Sequence, residues 1–182
     1  MIVLITGASH TGKTLLAQRI LEKYGWPYLS LDHLKMGLIR SGNTALTPFD
    51  DDALTEYLWP IVREMIKTAV ENRQNLTVEG CYVPFDWRKD FSADYLPHIR
   101  FICLSLSDAY IDAHFEEIRE HASDIEARLD DSGLSAEALK KENRRFRRAF
   151  RKAGEEVLQI RTDYEKTMAG WLKAFGDENA GV

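Results

Sequence analysis

The residues with the clearest chemistry stand at positions 7–14, where the sequence Gly-Ala-Ser-His-Thr-Gly-Lys-Thr fits the pattern G-x-x-x-x-G-K-[ST]. Glycines at both ends let the backbone turn so that successive N–H groups point at phosphate oxygens, and a following helix adds partial positive charge. Lys13 would reach the β- and γ-phosphates of a nucleotide, and the hydroxyl of Thr14 would face Mg²⁺. The pattern therefore predicts a nucleotide-binding loop of Gly7, Ala8, Ser9, His10, Thr11, Gly12, Lys13 and Thr14.

Alternating apolar patterns predict the elements that must hold this loop. Short strands are expected at 2–5, 28–31, 76–78, 99–104 and 157–160, and helices at 16–24, 34–39, 54–70, 111–129, 135–153 and 164–175. Pro60 interrupts the third of these helices, so we expect a kink or a break near Trp59. Strands that alternate with helices indicate an α/β fold, a five-stranded parallel sheet with helices on both faces. One domain at 1–175 and a frayed polar tail at 176–182 are expected.

Composition limits the classes of protein that remain. A chain of 182 residues holds one well-filled domain, and Cys81 and Cys103 both lie in or beside apolar runs, which favours buried thiols over a disulfide framework. The apolar start is too short for a signal peptide, and no apolar run approaches the length needed to span a membrane. We therefore expect a cytoplasmic protein with no membrane partner.

The basic residues are concentrated in one predicted helix. Residues 140–152 carry eight lysines and arginines against one acid, Glu142, although the whole chain has a formal charge of −5. Helical spacing puts the cations on one side and Phe146 and Phe150 on the other. We expect Ser135 to cap this helix and the phenylalanines to dock it, which leaves a ridge of repelling charges that polyphosphate would neutralise, as in a mobile lid. A solvated basic face is the alternative. Nucleic acid is an unlikely partner, because its binders usually carry broader basic surfaces.

Three classes of protein share such a loop. A GTP switch protein should carry N-K-x-D and, after its third strand, D-x-x-G, and neither is found here. Large ring ATPases need a second domain. In order and size the chain resembles the nucleoside-monophosphate-kinase-like group of phosphate-loop kinases, which includes adenylate, shikimate and gluconate kinases, chloramphenicol phosphotransferase and the zeta toxins. The resemblance covers residues 2–175 and implies ATP, Mg²⁺, a small-molecule acceptor bound at about 32–75, and a helical lid at about 119–151.

Two carboxylates follow predicted strands at the sheet edge where ligands bind in α/β proteins. The resemblance implies that Asp32, after the second strand, accepts the proton of the acceptor's hydroxyl group. Its alternative is a cap for the helix near Leu34. Glu79 ends the third strand, and the resemblance implies that it holds the water shell of Mg²⁺ opposite Thr14. An ordinary glutamate that starts a loop is the alternative there.

The resemblance also implies sites for the nucleotide base and the lid. His114 falls near the place of an arginine that lies on the adenine ring in adenylate kinases, although a partly buried histidine is the plainer interpretation. Arg161 follows the fifth strand, at the place where kinases of this group have a loop beside the adenine. Arg119, Arg144 and Arg148 would be the lid arginines that act on the phosphates.

The sequence does not identify the molecule that accepts the phosphoryl group. Arg40 and Arg88 would suit an acidic or phosphorylated acceptor, and solvated surface arginines are the alternative for each. The Asp-Gly-Phe-Pro-Arg run of adenylate kinases is missing, as is the glycine triplet of shikimate kinases. Two alternatives to a hydroxyl kinase therefore stay open. One is a nucleoside monophosphate kinase in which Asp32 orients its substrate, and the other is a nucleotide-dependent nucleic-acid-binding protein. The oligomeric state is not predicted.

Overall fold

The computed structural model describes residues 1–120 and 134–179. Its five strands are β1 (Ile2–Gly7), β2 (Tyr28–Ser30), β3 (Leu76–Glu79), β4 (Ile99–Leu106) and β5 (Val157–Ile160). Its helices are α1 (Lys13–Tyr24), α2 (Leu31–Arg40), α3 (Asp51–Glu71), α4 (Asp108–Glu120), α5 (Ala136–Lys152) and α6 (Tyr164–Asn179). Two short 3₁₀ turns, Trp87–Asp90 and Leu96–His98, lie between β3 and β4. Strands and helices follow one another along the chain in the predicted order.

The strands form one parallel sheet in the order β2-β3-β1-β4-β5. β1 lies at the centre, where Ile5 is in register with Glu79 of β3 and Gly7 with Leu104 of β4. Because all strands run the same way, the loops that follow them meet at one edge of the sheet. The predicted α/β fold with a five-stranded parallel sheet is confirmed.

Side chains of β1 alternate between two buried layers, as the pleat of a strand requires. Ile2 and Leu4 face a layer built from α3, α5 and the segment after β3. Val3 and Ile5 face the opposite layer, formed by α1 and α6. The sheet is therefore covered on both faces, and the central strand, which carries the phosphate loop, is fully buried.

α5 is one of the helices that cover the sheet. Phe146 and Phe150 are buried in the layer that contains α3, as their spacing predicted. The side chain of Asn143, fully buried, accepts a hydrogen bond from the backbone N–H of Leu106 at 2.7 Å, which fastens α5 to the end of β4. Ser135 caps the helix by accepting from the N–H of Ala138 at 3.2 Å, as predicted. α5 is part of the core in this structure.

Several predicted boundaries differ from the observed ones. α3 runs through Pro60 without a break, because buried Leu58 and Val62 hold the helix on both sides and the exposed position leaves the unpaired carbonyl to water. α2 begins at Leu31, so Asp32 lies in its first turn and does not cap a helix at Leu34. α6 continues to Asn179, beyond the predicted start of a tail at 176, and residues 180–182 lie outside the described part.

The predicted helix at 111–129 is described as far as Glu120, and the rest of it falls in the segment 121–133, which the structure does not describe. The described part is interrupted at His114, where φ is −126° and ψ is 22°. No helix in the described ranges is both long and apolar enough to cross a membrane.

Candidate active site

The phosphate loop is closed by hydrogen bonds from two of its own side chains to one backbone carbonyl. The carbonyl oxygen of Ala8 accepts hydrogen bonds from the Thr11 hydroxyl at 2.9 Å and from Lys13 Nζ at 2.8 Å. Gly12 has φ +80°, in the left-handed region, and Gly7 approaches β4 so closely that a Cβ there would lie 2.3 Å from the oxygen of Leu104. These contacts explain why the pattern needs glycine at both ends.

Lys13 is buried, with only 8% of the residue exposed, whereas a lysine in a surface loop is usually exposed to solvent. It begins α1, and its ammonium group is held over the loop by the Ala8 carbonyl. A phosphate oxygen is a stronger partner than a neutral carbonyl, because it carries charge. Lys13 is therefore held where it can exchange this carbonyl for a phosphate, and Thr14 lies beside it in the first turn of the same helix.

The hydroxyl group of Tyr164, the first residue of α6, packs against the loop. A Cβ on Gly12 would lie 1.7 Å from this oxygen. The hydroxyl is buried and has no hydrogen-bond partner among the residues that the structure describes, and burial raises the pKa of Tyr164. Sequence reasoning missed Tyr164, because nothing in the pattern of α6 indicates that its first residue reaches the loop.

His114 and Arg161, which were predicted to contact the nucleotide base, differ in their surroundings. His114 stacks on Tyr110 with ring centres 4.4 Å apart, and its Nδ1 lies 2.9 Å from Glu117. Tyr110 belongs to a small cluster in which Tyr164 also packs. Arg161 is exposed and donates to Gln159 at 3.4 Å. The ring of His114 thus has an aromatic partner already.

A second polar cluster lies across from the loop, at the start of α2 and α3. Lys35 Nζ donates to Asp32 Oδ1 at 2.5 Å and to the hydroxyl of Tyr82 at 2.8 Å, and that hydroxyl donates to Asp51 Oδ1 at 3.4 Å. The side chain of Lys35 is 11% exposed, so its charge is largely withdrawn from water. Desolvation raises the pKa of Asp51, and the nearby Lys35 charge partly offsets that effect. We name Asp32, Lys35, Asp51 and Tyr82 the acceptor cluster.

Cys81 follows β3, the strand between the one that carries the loop and the one that precedes Asp32. Burial raises the pKa of its thiol to about 12, with Lys13 opposing the rise and the carboxylates of Asp32, Asp51 and Glu142 adding to it. Charges from the loop and from the acceptor cluster therefore act on a single side chain. A molecule held by Asp32 would face the phosphate end of a nucleotide held by Lys13.

Glu79 is placed as the resemblance predicted. It ends β3 with 1% exposure and stands in register with Ile5 of β1 and Ser30 of β2, so it lies between the loop strand and the strand that leads to Asp32. Oxygen ligands of this kind suit Mg²⁺, which is usually held by one or two protein groups together with phosphates and water. In the described ranges no cluster of three or more His, Cys, Asp or Glu side chains could hold a metal alone. Glu79 and Thr14 fit a metal that is shared with a nucleotide.

Glu142 is a second residue that sequence reasoning missed as part of the site. Its Oε2 accepts a hydrogen bond at 3.1 Å from the backbone N–H of Ser9, in the middle of the phosphate loop. A signal was available, since Glu142 is the single acid among the eight cations of residues 140–152.

The two arginines predicted for the acceptor are not brought to the acceptor cluster. Arg88 forms hydrogen bonds of 2.5 and 2.9 Å to Glu155, whose side chain is 2% exposed, and it stacks on Trp87 at 4.7 Å. Glu155 precedes β5, away from the edge that carries the loop. Arg40 is exposed at the far end of α2, about 12 Å along the helix from Asp32.

The predicted ridge of unpaired charges on α5 is wrong, because α4 faces it with acids. Lys140 lies 2.6 Å from Asp112, and Arg144 lies 2.6 Å from Asp108. Arg147 is directed inward and donates to the carbonyl of Leu106.

The three predicted lid arginines differ in their placement. Arg144 is held on Asp108 at the start of α4. Arg148 is exposed and one helical turn farther from the loop, about 9 Å along the axis from Glu142. Arg119 pairs with Glu116 at 2.5 Å, next to the segment 121–133 of the predicted lid, which lies outside the described residues.

Comparisons with known proteins identify the fold. No family model and no curated protein matches this chain. Among solved structures, a deoxyadenosine kinase from M. mycoides with dCMP and dCDP bound matches with a TM-score of 0.59 and 13% identity, over 100% of both chains. A shikimate kinase from Aquifex aeolicus matches at 0.54 and 13%, over 100% of both chains. A gluconokinase from Sinorhizobium meliloti 1021 matches at 0.54 and 14%, over 98% of this chain and 95% of that one.

At these identities the likeness concerns the fold. The chain has the fold of the phosphate-loop small-molecule kinases of the nucleoside-monophosphate-kinase-like group, as the sequence resemblance indicated.

Proposed function

We propose that this protein is a Mg²⁺-dependent kinase that transfers the γ-phosphoryl group of ATP to a hydroxyl group of a small molecule. One observation carries the proposal: the parallel order β2-β3-β1 brings the phosphate loop after β1 and Asp32 after β2 to the same edge of the sheet, on either side of β3. Phosphoryl transfer needs donor and acceptor side by side, and this arrangement supplies a place for each.

In the proposed reaction the acceptor's oxygen attacks the γ-phosphorus while the bond to the β,γ-bridging oxygen breaks, so ADP leaves. The acceptor's proton passes to the carboxylate of Asp32. Lys13 and the N–H groups of the loop stabilise charge on the phosphate oxygens, which is the main protein contribution in this class of reaction. Lys35 holds Asp32 through one carboxylate oxygen, Oδ1, at 2.5 Å, which fixes its direction toward the acceptor.

Mg²⁺ would be held by the hydroxyl of Thr14 and, through water, by the carboxylate of Glu79. Bound there with the nucleotide, the ion would neutralise charge on the β- and γ-phosphates. The burial of Glu79 beside the loop strand supports this assignment.

The acceptor is proposed to be a hydroxyl compound rather than a nucleoside monophosphate. A phosphorylated acceptor needs cations, and Arg40 lies at the far end of α2 while Arg88 is bonded to Glu155. Lys35 is the cation of the acceptor cluster, and it is already hydrogen-bonded to Asp32, so it is not available for a phosphate group. Gluconokinase, shikimate kinase and deoxyadenosine kinase, the neighbours in fold, are named for small molecules of this kind.

Nucleic-acid binding by α5 has little support, because three cations of its basic side are used within the protein, on Asp112, on Asp108 and on the carbonyl of Leu106. A cytoplasmic location is proposed, and the two free cysteines, Cys81 and Cys103, suit a reducing compartment.

The test is a screen for phosphoryl acceptors with γ-labelled ATP and Mg²⁺, over nucleosides, sugars, sugar acids, hydroxylated antibiotics and nucleoside monophosphates. We expect label in a hydroxyl compound with wild-type protein and none with Lys13→Ala. Label that appears in nucleoside monophosphates alone would overturn the choice of acceptor. Failure of the wild-type protein to bind ATP would overturn the proposal as a whole.

A further inference from the structure

The phosphate loop holds an anion supplied by the protein itself. Glu142 Oε2 accepts the backbone N–H of Ser9 at 3.1 Å. Ser9 lies between the two glycines, in the part of the loop whose N–H groups are directed at phosphate oxygens in such a motif. A carboxylate oxygen and a phosphate oxygen make the same kind of charge-assisted hydrogen bond, so they compete for this donor.

The position of Glu142 is fixed by the helix that carries it. The next residue, Asn143, is fully buried, accepts from Leu106 N–H at 2.7 Å and donates to Leu139 O at 2.9 Å. These bonds fasten this turn of α5 to the end of β4, beside the loop. Glu142 and Lys13 both act on the pKa of the Cys81 thiol, in opposite directions.

We propose that Glu142 takes the place of a nucleotide phosphate oxygen at the N–H of Ser9 and must leave it when a nucleotide binds. Glu142 then sets how tightly nucleotide is held, as an internal competitor. The inference rests on the proposed nucleotide binding but not on any particular acceptor. Two effects act in the same direction: the carboxylate takes the N–H of Ser9, and its negative charge repels polyphosphate.

A partner for the displaced carboxylate lies on the same helix. Arg145 is three residues farther on, a spacing at which side chains on one helix face can pair. Arg145 is now paired at 3.3 Å with Asp52 of α3, and both side chains are largely exposed, 60% and 91%. An exposed pair of this kind is weak and exchanges easily. Displacement from the loop therefore leaves the charge of Glu142 with a partner.

The experiment is a calorimetric titration of Mg-ATP and Mg-ADP into wild-type protein and three variants. Glu142→Gln keeps the size and a neutral acceptor, and we expect ATP to bind about fivefold more tightly, because a neutral hydrogen bond is weaker than a charged one. Glu142→Ala removes the hydrogen-bond acceptor altogether, so we expect ATP to bind about tenfold more tightly than to wild type, or more tightly still. Glu137→Gln is the matched control, since this exposed glutamate on α5 pairs with Lys140 at 2.6 Å. It removes one negative charge from the same helix, and its affinity should stay within twofold of wild type.

A second readout separates displacement from a general change in the fold. Without nucleotide, Glu142→Ala should melt at a lower temperature than wild type, because an internal hydrogen bond is lost. With saturating Mg-ATP its increase in melting temperature should exceed that of wild type, because tighter binding stabilises more.

Each outcome decides the inference. Equal ATP affinities in wild type, Glu142→Gln and Glu142→Ala would overturn it and leave the proposed function intact. Weaker binding in the two variants would also overturn it, because Glu142 would then assist the nucleotide. If neither wild type nor the variants bind ATP, both the inference and the proposed function fail.

Discussion

The two halves of the candidate site are built in different ways. The phosphate loop is eight consecutive residues whose functional groups are mostly backbone N–H groups, with one side-chain ammonium, Lys13, held by the carbonyl of Ala8. The acceptor cluster is assembled from side chains of three separate segments: Asp32 and Lys35 on α2, Asp51 on α3, and Tyr82 after β3. A local site can be recognised as a pattern, whereas an assembled one depends on how the helices pack.

The two halves of the site also differ in the partners of their charged groups. In the loop, a cation rests on a neutral carbonyl and an anion, Glu142, rests on a neutral N–H. Both are arrangements that a charged ligand can replace. In the acceptor cluster, Lys35 and Asp32 already satisfy each other. We therefore expect the loop to respond strongly to ligand charge, and the acceptor cluster to work mainly by orientation.

The largest expected effect is at the loop. Lys13→Ala should reduce phosphoryl transfer by about 10³-fold or more, because it removes the side chain that stabilises transition-state charge on the phosphates. The measurement is the steady-state rate with γ-labelled ATP. Lys23→Ala is the control, a lysine at the other end of α1 that packs over Tyr24. A Lys13→Ala rate within a few-fold of wild type would remove the catalytic interpretation of the loop.

Next in size is Asp32→Asn, which tests the acceptor half. Loss of a proton acceptor should lower kcat by about 10²-fold, and the Kd for ATP should stay the same, because Asp32 belongs to the acceptor cluster and is not part of the loop. Asp52→Asn is the control, since Asp52 is on α3, beside the acceptor cluster, and its side chain is 91% exposed. An unchanged kcat would restrict Asp32 to its structural pair with Lys35.

A smaller effect is expected from Lys35→Met, which keeps the length of the side chain but removes its charge. Asp32 and Tyr82 then lose a shared donor, and we expect kcat/KM for the acceptor to fall about tenfold through lost orientation. ATP affinity should not change. Lys67→Met is the control, because Lys67 pairs with Glu64 on α3 at 3.0 Å, outside the site. Loss of ATP affinity in Lys35→Met would show that the two halves are not separable.

The smallest effect concerns the pair that replaces the predicted lid contact. The bond from Arg144 holds the pKa of Asp108 below its ordinary value, so the pair stabilises the fold above the unfolded-state pKa, and the contribution is lost as pH falls through the folded-state pKa. Arg144→Ala should lower the melting temperature by a few degrees at most at about pH 7, because the pair is partly exposed, and by less at about pH 3. Arg148→Ala, at an exposed position, should have no effect at either pH. If the melting temperature of Arg144→Ala fell further below that of wild type at low pH than at neutral pH, this account would be contradicted.

The fold was largely predictable because its signals are local. Apolar periodicity gave the order of strands and helices, and the glycines, Lys13 and Thr14 gave the loop. Pro60 misled the prediction, because burial of Leu58 and Val62 holds α3 together despite a missing hydrogen bond. The burial of Lys13 could not be read from its motif, which does not indicate how closely the loop is packed.

The candidate site was predictable only where a residue follows a strand. Glu79 ends β3 as predicted, Asp32 lies in the first turn of α2 just after β2, and Lys35 could have been found from its spacing of three residues from Asp32. Asp51 and Tyr82 join the cluster through packing between distant segments, which no local pattern indicates. Arg88 failed as a prediction because its partner, Glu155, lies 67 residues away in sequence.

The close approach of Gly7 to Leu104 and of Gly12 to Tyr164 has a consequence for synthesis of the chain. The loop leaves the ribosome before β4 and α6, which supply the backbone and the tyrosine that confine its glycines. Contacts between distant residues form slowly, since long loops must close first. A nascent chain therefore carries the complete motif long before it can hold a nucleotide. The ability to bind a nucleotide should arise late and abruptly, when α6 docks and Tyr164 reaches Gly12.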